Sequence, residues 1–438
     1  MPGVRTAPHP PPAGEEAAAR ASWRTPSPTR LALYSAVLYL PFVGLGYGTD
    51  IDITNILRSG TSIFRGEYRY SRPPGAFAHE LITGVLDRFG GAVLVNLGSV
   101  AAAVLALVAL GQVIERNHGA RAGRIAVIVM ATQPWFWVAA TSLGDYTYAL
   151  AFVLVGIHAA QRDHRVIAGL AFAVSIGFRS GAALLGAAYL LAEVSGGGDL
   201  DDDEPSARRW QAALTTGAVT VVVGLSFFVP PWLSVGRTAQ FLQNQFQRGD
   251  LVVMVARWGV KNVAFFGLVT LVVLVVRSPT LLQPLRRFSE LVLVRFAVYA
   301  AVATELLFLR FPWKPVHLLP MALCLALLLA VGGASNRLVG VIVASQLLLA
   351  LVSVSIAEPD VADAASSGHF EPGLTRGVVA NEIRCRLDQD FDGDWPSLHT
   401  PAADFAAVEA FVCQARSWRA GEGPSAPRRP GDPVLPDQ

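Results

Sequence analysis

Two aspartates, Asp50 and Asp52, stand two residues apart in YGTDIDITN, at the end of an apolar run. Carboxylates so spaced have two chemical uses at a membrane boundary. In a partly dry site a carboxylate holds protons more readily and takes one from a hydroxyl. Alternatively, the pair binds a divalent cation, Mg or Mn, through oxygen ligands. A plainer reading makes them the solvated entry to a helix near Thr54. Just downstream, GEYRYSRPPGAFAHE sets Arg72 before Pro73 and Pro74. The prolines fix the backbone and remove two N–H donors, which pins the loop and Arg72 with it. A guanidinium held there suits bidentate phosphate recognition, or snorkels to lipid phosphate.

Three further places put ionisable groups at the ends of apolar segments, where charge is costly and points to function. Asp145 lies in TSLGDYTYA, after QPWFWVAA, whose Trp135 and Trp137 suit interfacial anchors. Arg179 lies in SIGFRSGAA with no acid beside it in sequence. Arg310, Lys314 and His317 crowd FLRFPWKPVHLLP, which Pro312, Pro315 and Pro320 interrupt. That density reads as an anion clamp. Each place also reads as an ordinary turn. For the charges of the first loop, the plain alternative is pairing of Arg58, Arg65, Arg69, Arg72 and Arg88 with Asp50, Asp52, Glu67, Glu80 and Asp87.

The elements that must position these groups are membrane helices. Of the 438 residues, 53% are hydrophobic and 16% charged, against about 25% charged in an ordinary soluble domain. Hydropathy predicts an all-α polytopic bundle of about eleven transmembrane helices over residues 31–356. They include Leu31–Thr49, Ala92–Ile114, Ile125–Ser142, Val166–Gly177, Gly181–Val194, Asn262–Val276 and Leu338–Ile356. Val166–Gly177 and Gly181–Val194 are short enough to form one shallow hairpin. VGRTAQFLQNQFQRGDLVVMVARWG has helical spacing but is too polar to span, and reads as an amphipathic helix lying on the outer surface.

Residues 1–30 read as a disordered cytoplasmic tail without a cleavable signal. The short basic loops RNHGAR, QRDHR and QPLRRF fall on one side, which the positive-inside rule makes cytoplasmic. The first outer loop, rich in arginine, then faces out. Residues 357–419 read as a small extracytoplasmic cap, with a helix over Pro401–Trp418, and residues 420–438 as a disordered end. Cys385 and Cys413 both lie in that outer part, where a disulfide between them fits an oxidising compartment. Cys324 is a small apolar residue within a span. No phosphate-binding P-loop, HExxH or CxxC pair occurs, which speaks against nucleotide-driven work. Nothing points to nucleic acid.

The order of these features resembles the GT-C superfamily of integral-membrane glycosyltransferases: a first span, DID, a long outer loop with SRPPG, and a late basic loop PWKPVHLLP. The resemblance runs over roughly residues 31–356. It implies a polyprenyl-phosphate sugar as donor and a cell-envelope glycan, lipid or protein as acceptor. It further implies inverting displacement on the outer face of the plasma membrane. Asp50 or Asp52 matches the outer-loop base. Arg72 matches the basic residue before the Pro-Pro pair, and Arg310, Lys314 and His317 occupy the stretch that meets the lipid phosphate. Tyr70, Glu80, Asp145 and Arg179 are the remaining substrate-binding candidates. Many relatives carry Tyr where this chain has His317. The rival class is a transporter or flippase of a lipid-linked anionic glycan, which needs the cations and the greasy groove but no base.

Overall fold

The computed structural model describes residues 26–50, 52–196, 206–235, 251–312, 314–356 and 372–387. The chain enters at Ser27, whose hydroxyl caps the first helix by accepting the Arg30 N–H, with Pro28 at the first helical position. This helix, α1 (Pro28–Tyr39), buries Ala32, Ser35 and Tyr39 and exposes Leu33, Tyr34 and Val37. One 3₁₀ turn, Leu40–Phe42, ends it. The expected span Leu31–Thr49 is therefore helical only to Phe42. Gly44, Gly46 and Gly48 follow in quick succession, and the last two adopt positive φ.

α2 (Ile53–Phe64) leads to α3 (Phe77–Ala131), a 55-residue run that leaves helical geometry at Gly90, Gly91 and Gly119. The expected segments Ala92–Ile114 and Ile125–Ser142 share this run. The second breaks at Gln133, whose side chain accepts the Phe136 N–H and starts α4 (Pro134–Thr141). α5 (Tyr146–Ala160) then departs at 105°. α6 (Arg165–Phe178), α7 (Ala182–Val194), α8 (Ser206–Ser226) and α9 (Val229–Val235) follow. α10 (Leu251–Phe266) and α11 (Leu268–Val276) are bent by 89° at Gly267. The expected segment Asn262–Val276 thus begins earlier and is broken in the middle. Residues 236–250 of the expected surface helix lie outside the described residues. After α12 (Ser278–Leu281) come α13 (Val292–Arg310), α14 (Leu319–Val331) and α15 (Asn336–Leu351).

Where Leu338–Ile356 was expected as one span, the helix stops at Leu351. Val352–Ile356 is strand β1, paired antiparallel with β2 (Pro372–Arg376) in the register Val352 opposite Arg376. α16 (Val378–Leu387) completes the described part of the expected cap. Residues 1–25, most of the cap and residues 420–438 lie outside the described residues.

The chain is a helical membrane protein. Phe77–Ala131, Ala207–Val235 and Val292–Arg310 are long and apolar enough to cross a bilayer, and the two bent pairs raise that number to five. Four shorter apolar helices accompany them: Arg165–Phe178, Ala182–Val194, Pro315–Val331 and Asn336–Leu351. At 1.5 Å per residue these reach about 20–25 Å, short of a hydrocarbon core of about 30 Å, so helix length does not reproduce the expected eleven spans. Val37, Phe89, Val222, Val275, Leu306 and Leu351 are all more than half exposed, as lipid-facing side chains are. Polar bonds gather at the two ends. At one end Gln161 Nε2 donates to Val113 O, Arg165 pairs with Glu193, and Arg295 donates to the carbonyls of Ala192, Phe288 and Ser289. Arg121 donates to the carbonyl of Ala334. All three of the expected basic loops contribute to these contacts. The other end carries the candidate site.

α2 approaches α3 through two glycines. A Cβ on Gly84 would lie 2.7 Å from Gly60 O, and one on Gly60 would lie 2.8 Å from Gly84 Cα. Backbone contact of this kind is how small residues join membrane helices. Because helix backbone on both sides cannot give way, Gly84→Ala should cost about 1–3 kcal/mol. The expected result is a lower melting temperature in detergent, with the conservative surface change Leu81→Ile as the control.

Candidate functional site

The site is assembled from five connections at one end of the bundle. The first, residues 43–52, follows α1. It is anchored from α3 by fully buried Asn96, whose amide donates to Val43 O at 2.9 Å and Gly46 O at 2.6 Å. Tyr47 adds a hydroxyl bond to buried Asp87. Gly48 sits at φ +113°, and a Cβ there would meet Ser142 Cβ at 2.6 Å, so only glycine passes between the two loops. Asp50 and Asp52 emerge from this segment. Asp52 occupies the N-cap of α2 as the plain reading supposed, yet its carboxylate makes no capping bond. Both acids turn instead to Lys314. Its Nζ lies 2.6 Å from Asp50 Oδ1 and 2.7 Å from Asp52 Oδ2. The Asp52 N–H also donates to Asp50 Oδ1 at 2.8 Å.

Arg72 comes from the second connection. Gly75 N donates to Arg72 O at 2.6 Å, closing a tight turn around the prolines, and the Pro73–Pro74 peptide is cis. Glu80, wholly buried in the first turn of α3, holds the approach to that turn. One of its oxygens accepts the Ser71 N–H at 2.8 Å and hydroxyl at 2.5 Å, and the other accepts the Tyr68 hydroxyl. Glu80 therefore positions the loop and is committed there. Arg72 Nη1 reaches Asp52 Oδ2 at 3.0 Å and its Nη2 bonds Asp145.

Asp145 stands at the N-cap of α5, again without capping it. Its side chain is 2% exposed and receives a second guanidinium, Arg179 Nη1, at 3.0 and 3.2 Å from its two oxygens. Arg179 ends α6 in extended backbone and lies 4.0 Å above the Tyr146 ring. Tyr146 in turn faces His317 with ring centroids 5.9 Å apart. The result is one continuous network: Asp50, Lys314, Asp52, Arg72, Asp145 and Arg179. It joins residues 129 positions apart and then reaches Lys314, a further 135 positions on.

Six of the ten expected side chains in the membrane core thus meet, and His317 stands beside them. Tyr70 is half-buried and makes no hydrogen bond or ion pair to the network among the described residues. Arg310 ends α13 with its guanidinium 4.8 Å over the Phe311 ring. Of the expected cysteines, Cys385 is disulfide-bonded and Cys413 lies outside the described residues. Sequence reasoning missed buried His79, one turn after SRPPG, which packs edge-on against Tyr148 and Phe178. It also missed Tyr146 and Thr49. Their position beside Asp145 and Asp50 was the only available signal.

Charge sets the protonation of the network. Burial alone would raise the Asp52 carboxyl, but Lys314 and Arg72 outweigh it and hold Asp52 below the usual carboxylate range. Burial would likewise lower Lys314, yet Asp50, Tyr146 and Asp52 push it up to about 12. Burial also works against Arg72, and Asp145 and Asp52 more than restore its charge, raising it above its ordinary value. The facing oxygens of Asp50 and Asp52 receive Lys314 and Arg72 here, and no group of three or more His, Cys, Asp or Glu gathers among the described residues.

Two outcomes follow. Asp145→Asn leaves Arg72 and Arg179 facing a neutral amide and should destabilise the fold by about 3–5 kcal/mol, read as a drop in melting temperature. Because the folded Asp52 value lies below the unfolded one of about 3.9, its contribution is present above that pH and is lost as pH falls through the folded value. Melting temperature should therefore fall below about pH 4, less steeply in Asp52→Asn.

No family description matches the sequence, and no curated protein matches it. Solved structures do match. The apo structure of ArnT from Cupriavidus metallidurans is 20% identical, with TM-score 0.51, over 76% of this chain and 63% of that one. ArnT bound to undecaprenyl phosphate gives 18% identity and TM-score 0.52 over 73% and 62%. The oligosaccharyltransferase of Archaeoglobus fulgidus, in a complex with Zn and sulfate, reaches TM-score 0.45 at 14% identity, over 72% of this chain and 53% of that one. The chain spans just under two thirds of the ArnT length. What is shared at this identity is architecture: the chain has the fold of ArnT.

Proposed function

We propose that this protein is a membrane glycosyltransferase, moving a hexosyl or pentosyl group from a polyprenyl-phosphate donor to an acceptor hydroxyl of a cell-envelope glycan, lipid or protein. The observation that carries the reading is the Asp50–Lys314–Asp52–Arg72 arrangement at one end of a lipid-facing helical bundle. A polyprenyl phosphate is a long apolar chain ending in an anion at headgroup depth. It is bound by apolar helix surface and by cations at one height. The likeness to ArnT, which has been solved with undecaprenyl phosphate, supports the same donor class.

In this reading Asp50 is the base. Asp52 is the poorer proton acceptor, since Lys314 and Arg72 hold it ionised. Asp50 touches one cation through Oδ1, and its Oδ2 makes no bond among the described residues. Asp50 Oδ2 takes the acceptor hydroxyl proton as that oxygen bonds to the anomeric carbon. The carbon–oxygen bond to phosphate breaks on the opposite face, and its electron pair leaves with the phosphate. Lys314 and Arg72 stabilise the charge that develops there. One displacement of this kind inverts the anomeric centre. The site faces the extracytoplasmic side of the plasma membrane, opposite the basic loops.

Purified protein in lipid nanodiscs with a radiolabelled polyprenyl-phosphate sugar and envelope extract as acceptor tests this. Asp50→Asn should lower transfer by about 1,000-fold or more while donor still binds. Transfer at the wild-type rate in Asp50→Asn would defeat the assignment. Movement of intact donor across the bilayer, without transfer, would favour the flippase.

A further inference from the structure

The described part of the C-terminal segment returns to the site. The β1–β2 hairpin reverses the chain after α15, and Gly377 N donates to Leu351 O at 2.8 Å, which seats α16 against the end of the bundle. Along α16, Glu382 and Arg386 are one turn apart and face inward, and the Arg386 side chain is 1% exposed. Arg386 Nε donates to Glu382 Oε1 at 2.8 Å. The two then reach different loops. Glu382 Oε2 accepts the hydroxyl of Thr49, the residue before Asp50. Arg386 Nη1 donates to the carbonyl of Thr141 at 2.9 Å, at the end of α4 and four residues before Asp145. Beneath this bridge the same two loops meet directly, where Leu143 N donates to Tyr47 O at 2.7 Å.

We infer that Glu382 and Arg386 are positioning residues, a buried strap from the C-terminal helix that holds the loop of Asp50 and Asp52 in register with the loop of Asp145. A charged pair with so little exposure is retained only with its partners in place, and each partner here is a site loop. Among the described residues neither forms an ion pair with Lys314, Arg72 or Arg179, so the strap works through Thr49 and Thr141. Register matters because the six-charge network depends on Arg72 reaching Asp52 and Asp145 together. A shift of about 1 Å at a reacting group is enough to cost roughly 100-fold in rate.

The inference rests on the transferase reading only for its kinetic arm. Hydrogen–deuterium exchange on the full chain in nanodiscs reads the strap without any substrate. Glu382→Gln and Arg386→Met should each speed exchange about tenfold at Leu143 and across 43–50, the effect of losing a charge-assisted hydrogen bond. Residues 160–166 at the other end of the bundle should stay at the wild-type rate. Arg386→Lys should restore part of the protection. If a strap variant loosens 160–166 as well, Thr49→Val decides, since it removes one hydroxyl and should free 43–50. Wild-type exchange at both loops in Thr49→Val and Glu382→Gln overturns the inference. In the transfer assay, Glu382→Gln should lower kcat about tenfold with donor KM within about twofold. Absence of transfer in the wild type would count against the glycosyltransferase reading and leave the exchange result standing.

Discussion

Three carboxylates and three cations, held at one end of a greasy bundle, impose the constraint that the rest of the molecule obeys. Asp50, Asp52 and Asp145 are matched by Lys314, Arg72 and Arg179, and the set is neutral. Removing any one member strands a partly buried charge, which costs far more than the net worth of the pair. The members come from five separate connections. The chain therefore has to fix five loops at once, and its local oddities make sense as devices for that. The proline pair closes the Arg72 turn, Glu80 bonds the residues just before it, and Asn96 ties down two carbonyls of the first loop. Asp52 and Asp145 both sit where an aspartate would cap a helix, and both leave the helix uncapped. The ion network outweighs the cap, which is worth about 1 kcal/mol.

Neutrality also governs what the site can accept. A phosphate entering a balanced set makes it net negative unless a cation changes partners. Arg179 is poorly placed for that, being bidentate on Asp145 and stacked on Tyr146. Lys314 is better placed. It is a point charge on a flexible stem, shared between two acids, with a quarter of its side chain exposed. In the proposed reaction, a Lys314 that turned to a phosphate would leave Asp50 without the one cation it contacts among the described residues, so that donor binding and release of the base would be one event.

Much of this was legible in the sequence, and the reasons differ by residue. Asp50, Asp52, Arg72 and Lys314 could be read because charge beside a membrane span is expensive, so its presence is informative. Asp145 and Arg179 were each ambiguous alone. Nothing in a linear sequence says that two residues 34 positions apart share both carboxylate oxygens. Glu80 was grouped with substrate binders, whereas it is the acid that Tyr68 and Ser71 consume. Helix ends were the weaker part. Hydropathy cannot see that Gly44, Gly46 and Gly48 terminate α1, nor that Gly267 bends α10 into α11, because glycine contributes little to an apolar average. Glu382 and Arg386 escaped notice since an i, i+4 acid–base pair is the commonest ornament of an exposed helix. Only burial separates this one from the rest.

Loops are the usual place for reactive groups and also the usual place for motion. A transfer site gains from loops only if its dipoles and charges are already aimed before substrate arrives. Here three of the five loops carry a second attachment that is independent of the charges they present. Asn96 holds 43–46 from α3, Glu80 holds 68–71, Leu143 N joins Tyr47 O, and Arg386 with Glu382 spans Thr141 and Thr49. Among the described residues none of these anchors forms an ion pair with a cation of the network. Such a division lets the six charges rearrange around a ligand while the backbone beneath them stays fixed. It also locates the soft point. Of the five connections, that of Lys314 is punctuated by prolines that cannot donate backbone hydrogen bonds. The cation best able to change partners is thus carried by a loop in which Pro312 and Pro315 have no backbone N–H to anchor it.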